Sequence, residues 1–107
     1  MSIRTEGVSY GFGQLGSFML DTTNAVTVPA GKVVVAIQML EDVTFADAGG
    51  LIADTTDVNV KYISTDVAAE PGLTIDTGNV FPKGSAIMGR WTGIDLASGS
   101  IIAYLGY

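Results

Sequence analysis

The 107-residue chain contains no cysteine and no histidine. Without cysteine there is neither a disulfide framework nor a thiolate nucleophile. Without histidine the commonest general base and metal ligand is missing, and no Ser–His pair can form. Basic residues are scarce as well: Arg4, Lys32, Lys61, Lys83 and Arg90 are scattered along a chain of net charge −6. Nucleic acid is held by clustered Lys and Arg that displace phosphate counterions, and an anionic membrane makes the same demand. Neither is expected as a partner. The longest apolar stretch, 33–40, is interrupted by Gln38 and falls well short of the roughly 20 residues that a spanning helix needs. No basic region followed by an apolar one opens the chain, so no signal peptide is expected. The reading at this point is a protein made in a cytoplasm and either soluble or assembled.

Charge of either sign is sparse. Only 15% of residues are charged, where about 25% is usual, although the 48% hydrophobic fraction is ordinary. Such a surface suits a protein partly covered by its neighbours. The length fits one domain, and a core this small offsets chain entropy with little margin, so burial in an oligomer would help.

What is present is a β pattern. Apolar residues alternate with period two. In 32–41, Val33, Val35, Ile37 and Met39 are expected on one face, with Val34, Ala36, Gln38 and Leu40 on the other. In 58–63, Val58, Val60 and Tyr62 oppose Asn59, Lys61 and Ile63. In 87–96, Ile87, Gly89 and Trp91 oppose Met88, Arg90, Thr92, Ile94 and Leu96. The run 101–107 is apolar on both faces and is expected either as a central strand or in a subunit contact. Turn residues separate these runs: Pro29-Ala30-Gly31, Ala48-Gly49-Gly50, Glu70-Pro71-Gly72, Phe81-Pro82-Lys83-Gly84 and Ser98-Gly99. The last of these predicts a tight hairpin between 94–96 and 101–104. The expected fold is all-β: an antiparallel β-sandwich or jelly-roll-like barrel of about seven or eight short strands, with no long helix. Residues 1–20 form a glycine-rich arm or edge segment carrying Tyr10, Phe12 and Phe18, and 21–107 form the β domain.

Three constellations in the chain bear on chemistry. Gly11-Phe12-Gly13-Gln14-Leu15-Gly16 spells G-x-G-x-x-G, but that fingerprint needs a helix after it, and here Ser17-Phe18-Met19-Leu20 reads as a strand. It is a chance match. Asp54, Asp57 and Asn59, with Asp47 nearby, depart from the EF-hand spacing and read as a solvated acidic turn. Eleven acidic residues scattered across turns define no carboxylate pair. No catalytic residue, cofactor or metal site is therefore expected. The remaining candidates are aromatic: Trp91, Tyr62, Tyr104 and Tyr107 sit either in the core or at a contact.

The C-terminal third carries a resemblance. Phe81-Pro82-Lys83-Gly84, Ile87, Gly89-Arg90-Trp91-Thr92, Leu96-Ala97-Ser98-Gly99 and Ile102-Ala103-Tyr104-Leu105-Gly106 resemble a pattern in small virion proteins of tailed bacteriophages, cyanophages and other marine phages in particular. Val28-Pro29-Ala30-Gly31-Lys32 before a Val-rich strand is similar to the same group, so that the resemblance covers about residues 24–107. It implies a β-rich, non-enzymatic structural protein on the virion that decorates or cements the capsid by packing on the major capsid protein. A homo-oligomer, a trimer above all, suits an icosahedral shell. The interface candidates are Tyr10, Phe12, Phe18, Arg90, Trp91, Tyr104 and Tyr107, with Arg90 pairing an acidic group. Two other readings stand beside it: a fibre or knob module that binds host glycan through Trp91 or the tyrosines near Asp57 and Asn59, and a non-viral β domain for protein–protein contact.

Overall fold

The computed structural model describes residues 15–21, 23–56, 62–65 and 74–107. Eight strands follow in chain order: β1 (Ser17–Leu20), β2 (Val26–Thr27), β3 (Val33–Met39), β4 (Thr44–Phe45), β5 (Leu51–Ala53), β6 (Ala86–Ile94), β7 (Leu96–Ser98) and β8 (Ile101–Gly106). All pairings are antiparallel. The larger sheet runs β1-β8-β3-β6-β2, with β5 also on β6, and curls into a half-barrel; β4 and β7 form a second sheet. The fold is an all-β, barrel-like sandwich, as the alternation predicts. Among the described residues there is no helix.

The inner face of the curled sheet closes over the small one. Trp91, Ile37, Met39, Leu51, Ile94 and Ile101 from the larger sheet, with Phe45 and Leu96 from the smaller, are at most 1% exposed and form a single cluster. Phe45 meets Phe81 edge to face with ring centroids 5.3 Å apart, and Phe81 is held there by paired backbone bonds to Val43. Two Pro-Xaa-Gly turns close with i+3 bonds, Lys32 N–H to Pro29 O at 3.2 Å and Ser85 N–H to Pro82 O at 3.1 Å.

Three expectations need correction. In β3 the pairing shifts between Val34 and Ala36 toward both neighbours, so Val35 is a bulge. One extra residue reverses the alternation, which puts Val34 on the same buried face as Ile37 and Met39. In β6 the steps from Trp91 to Met88 span three residues against two on β3, and Ile94 is buried beside Trp91 rather than opposed to it. The third concerns Ser98-Gly99. It is a turn, but β7 pairs with β4 and β8 lies between β1 and β3, so the chain changes sheet there and makes no hairpin. Gly99 has φ +92°, and a Cβ on it would stand 2.5 Å from Asp42 O, so the crossing is built around a glycine.

The run 101–106, expected either as a central strand or in a subunit contact, is an interior strand of the larger sheet, with Ile101, Ala103 and Leu105 buried. The strand expected over 58–63 falls mostly outside the described residues; Tyr62 and Ile63 are described and are not in a strand. In the segment 1–20, residues 17–20 are the edge strand of the sheet itself, and Leu15 and Gly16 already bond to Leu105. Gly16 is followed by that strand and not by a helix, in keeping with the rejection of the dinucleotide fingerprint.

Candidate functional site

Because side chains alternate across a strand, the register fixes which residues share a face. One row runs Phe18, Ala103, Ile37, Ile87 and a second Leu20, Ile101, Met39; these point inward. The intervening rows, Met19–Ile102–Gln38–Ala86 and Ser17–Tyr104–Ala36–Met88, point outward. None of the residues in these outer rows is charged. Met19 and Met88 are each 62% exposed, Ser17, Gln38 and Ala86 are also exposed, Ile102 and Tyr104 are half-buried between them, and the small Ala36 is buried. Four strands at about 4.8 Å make this face roughly 14 Å from the first strand to the last.

An uncharged sheet face on a chain of net charge −6 is a feature that solvent alone does not call for. Antiparallel sheets that face water normally carry polar or charged residues on the open side. Among the described residues the acids lie outside the strands: Asp42 Oδ1 accepts from Lys83 N–H at 2.9 Å, Asp47 Oδ1 from Thr77 N–H at 2.9 Å, and Asp76 Oδ1 from Gly78 N–H at 2.7 Å. They fasten loops and leave the face neutral. Methionine adds to its character, since an unbranched, polarisable side chain adapts to a partner surface.

The candidates singled out in the sequence scatter. Tyr10 and Phe12 lie outside the described residues. Phe18 is half-buried and packs against the core from the inner row. Trp91 is a correction: it is fully buried, its indole N–H donates to Ile63 O at 2.8 Å, and it offers no surface to a partner or a sugar. The glycan reading thereby loses its main aromatic platform. Arg90 does pair with an acidic group, but within the chain, its Nε lying 3.2 Å from Asp54 Oδ2, and its Nη1 donates to the main-chain oxygen of Tyr107. Tyr107 is 79% exposed, and Tyr104 belongs to the outer face.

Asp54 is held below the usual aspartate value of 3.8. The largest cause is the Thr56 hydroxyl donating to Oδ1 at 2.6 Å, followed by the Thr56 N–H at 3.0 Å; burial opposes the shift and Arg90 assists it. Asp54 is thus committed to Thr56 and Arg90, and Asp47 to Thr77. The other members of the acidic turn, Asp57 and Asn59, lie outside the described residues. Among the described residues no group of three acidic side chains converges on a common point.

Sequence reasoning missed Met19, Met88, Gln38 and Ala86. The signal existed in Ser17-Phe18-Met19-Leu20, where Phe18 and Leu20 alternate with Ser17 and Met19. For Met88 the alternation already set it on the face opposite Ile87 and Trp91, where the structure has it, but did not show that this face is open. Comparison of the chain with protein-family models, curated proteins and solved structures gives no match.

Proposed function

We propose that the protein is a non-enzymatic virion structural protein that decorates or cements a phage capsid, with the outer face of β1-β8-β3-β6 packing on the major capsid protein. The observation that carries this reading is the face itself: among the described residues, an uncharged patch centred on Ile102 and Tyr104, flanked by exposed Met19 and Met88. The resemblance of 81–106 to small virion proteins of tailed phages supports the same reading and includes two of those residues, Ile102 and Tyr104. A shell repeats its surface many times. A patch smaller than the roughly 800 Å² per partner of a stable pairwise interface suffices there, because an oligomer engages several sites at once. A neutral face also lets an acidic protein approach a shell without desolvating charge.

The test is co-sedimentation with shells assembled from the major capsid protein encoded alongside this chain. The wild type pellets with the shells, the Met19→Asp/Met88→Asp variant stays in the supernatant while keeping its fold, and loss of residues 1–14 weakens binding if the arm adds contacts. Equal pelleting of wild type and double variant contradicts the proposed face.

A further inference from the structure

The strand at the rim of this face has the features of a self-complementary edge. Among the described residues, β1 is an outermost strand of the larger sheet. Leu15 N–H donates to Leu105 O at 3.3 Å and Leu105 N–H to Gly16 O at 2.8 Å, so the backbone groups of Leu105 face β1. By alternation along β8 those of Ala103 and Ile101 do so too, and they are opposite Phe18 and Leu20. Ser17 and Met19 therefore turn their N–H and C=O groups away from β8, toward a side where no other described strand lies. Natural sheets usually blunt such a rim with Lys, Pro or a bulge. Ser17-Phe18-Met19-Leu20 has no such residue, and its pairing with β8 is regular.

Charge selects the partner. At one end of β1, Lys32 Nζ lies 3.4 Å from Leu15 O. At the other end stands exposed Asp21. An antiparallel pair of β1 strands, with the outward-facing Ser17 and Met19 forming the hydrogen-bonded positions, has its two-fold axis at Phe18. That register sets residue 15 of one copy opposite residue 21 of the other, so both ends bring unlike charges together.

We propose that β1 is a self-association edge: two copies of this chain pair antiparallel through Ser17–Leu20 about an axis at Phe18, with Lys32 of each facing the partner's Asp21. The two outer faces then join into one continuous sheet, which doubles the neutral surface. The contact is isologous and two-fold, in place of the trimer expected from shell symmetry. It is a property of the free protein and is tested without capsid, so its failure leaves the capsid reading standing.

Sedimentation velocity on the full chain decides it. The wild type sediments as a dimer that dissociates on dilution. Met19→Pro removes a hydrogen bond to the partner but none to β8, and it sediments as a monomer with an unchanged circular dichroism spectrum. Should the proline disturb the fold, charge exchange tests the same register: Asp21→Lys shifts the dimer toward monomer, and adding Lys32→Asp restores it. A monomeric or trimeric wild type overturns the proposal. So does a dimer indifferent to Met19→Pro, or a double exchange no better than the single one.

Discussion

Gly89 lies against the indole of Trp91: a Cβ built on the glycine stands 2.7 Å from Trp91 Cζ2 and 3.1 Å from Tyr62 Cδ1. The largest fully buried side chain of the protein is seated by the absence of another. Trp91 cannot move away freely, because its N–H is fixed on Ile63 O and this bond holds the loop 62–65 against the sheet. Thr65 completes the attachment, its N–H donating to Leu51 O at 3.0 Å while its hydroxyl accepts from Leu51 N–H at 3.2 Å.

Overpacking at this point is the first prediction. Gly89→Ala lowers stability by about 1–3 kcal/mol, because the added methyl displaces either Trp91 or Tyr62. Trp91→Phe costs about 1–3 kcal/mol, since Ile63 O is left without its donor. Urea unfolding followed by circular dichroism measures both.

Gly99→Ala tests the crossing between the two sheets. Its φ of +92° is unfavourable for alanine, and the obstructing atom is a main-chain oxygen, Asp42 O, that has little room to retreat. A loss of about 1–3 kcal/mol is expected from the backbone conformation alone, with the clash adding to it. A variant as stable as the wild type would show that the crossing tolerates a different turn.

The Asp54 site gives a pH dependence whose sign follows from its depressed pKa. A carboxylate held below its unfolded value stabilises the fold fully above about pH 4, and that contribution is lost as pH falls through the folded-state value. Asp54→Asn removes it. The stability gap between wild type and Asp54→Asn is therefore constant at neutral pH and narrows in acid, as denaturant titrations across the range would reveal. The gap is modest, because Arg90 is about 38% exposed and solvent screens the pair.

Substitutions on the outer face act differently. Met19→Asp and Met88→Asp change stability by less than about 0.5 kcal/mol each, since both side chains are already in water. A large loss of stability would mean that the face is a covered part of the fold rather than an open surface.

Much of the architecture was legible because β-branched runs and Pro-Gly punctuation are local signals. The strand over Val33–Met39, the turn at Pro29-Ala30-Gly31 and the two-sided apolar run 101–106 all follow from them, whereas the place of that run inside the sheet does not. The bulge at Val35 and the slip in β6 were not legible, since a bulge is settled by pairing partners far along the chain. Ile94 is the residue that the slip moved, from the face opposite Trp91 to the buried face beside it. Trp91 illustrates a second limit: burial of an aromatic depends on what packs over it, and here that is the loop residue Ile63 with Gly89 making room. Arg90 was expected to pair with an acidic group at a contact; its pair with Asp54 within the chain was not legible, because Asp54 reads from sequence as part of an acidic turn.

The central claim is that Met19 and Met88 lie on the surface that meets the capsid, and methionine oxidation tests it most directly. Peroxide converts exposed methionine to the sulfoxide, and mass spectrometry reads each position separately. In the free protein Met19 and Met88 should oxidise fast while Met39, 1% exposed, serves as the protected internal control. On shells, the account predicts that Met88 and Met19 both become protected, Met88 being the decisive one because it stands away from the β1 edge. Oxidation of Met88 at the free-protein rate in shell-bound material would contradict the account.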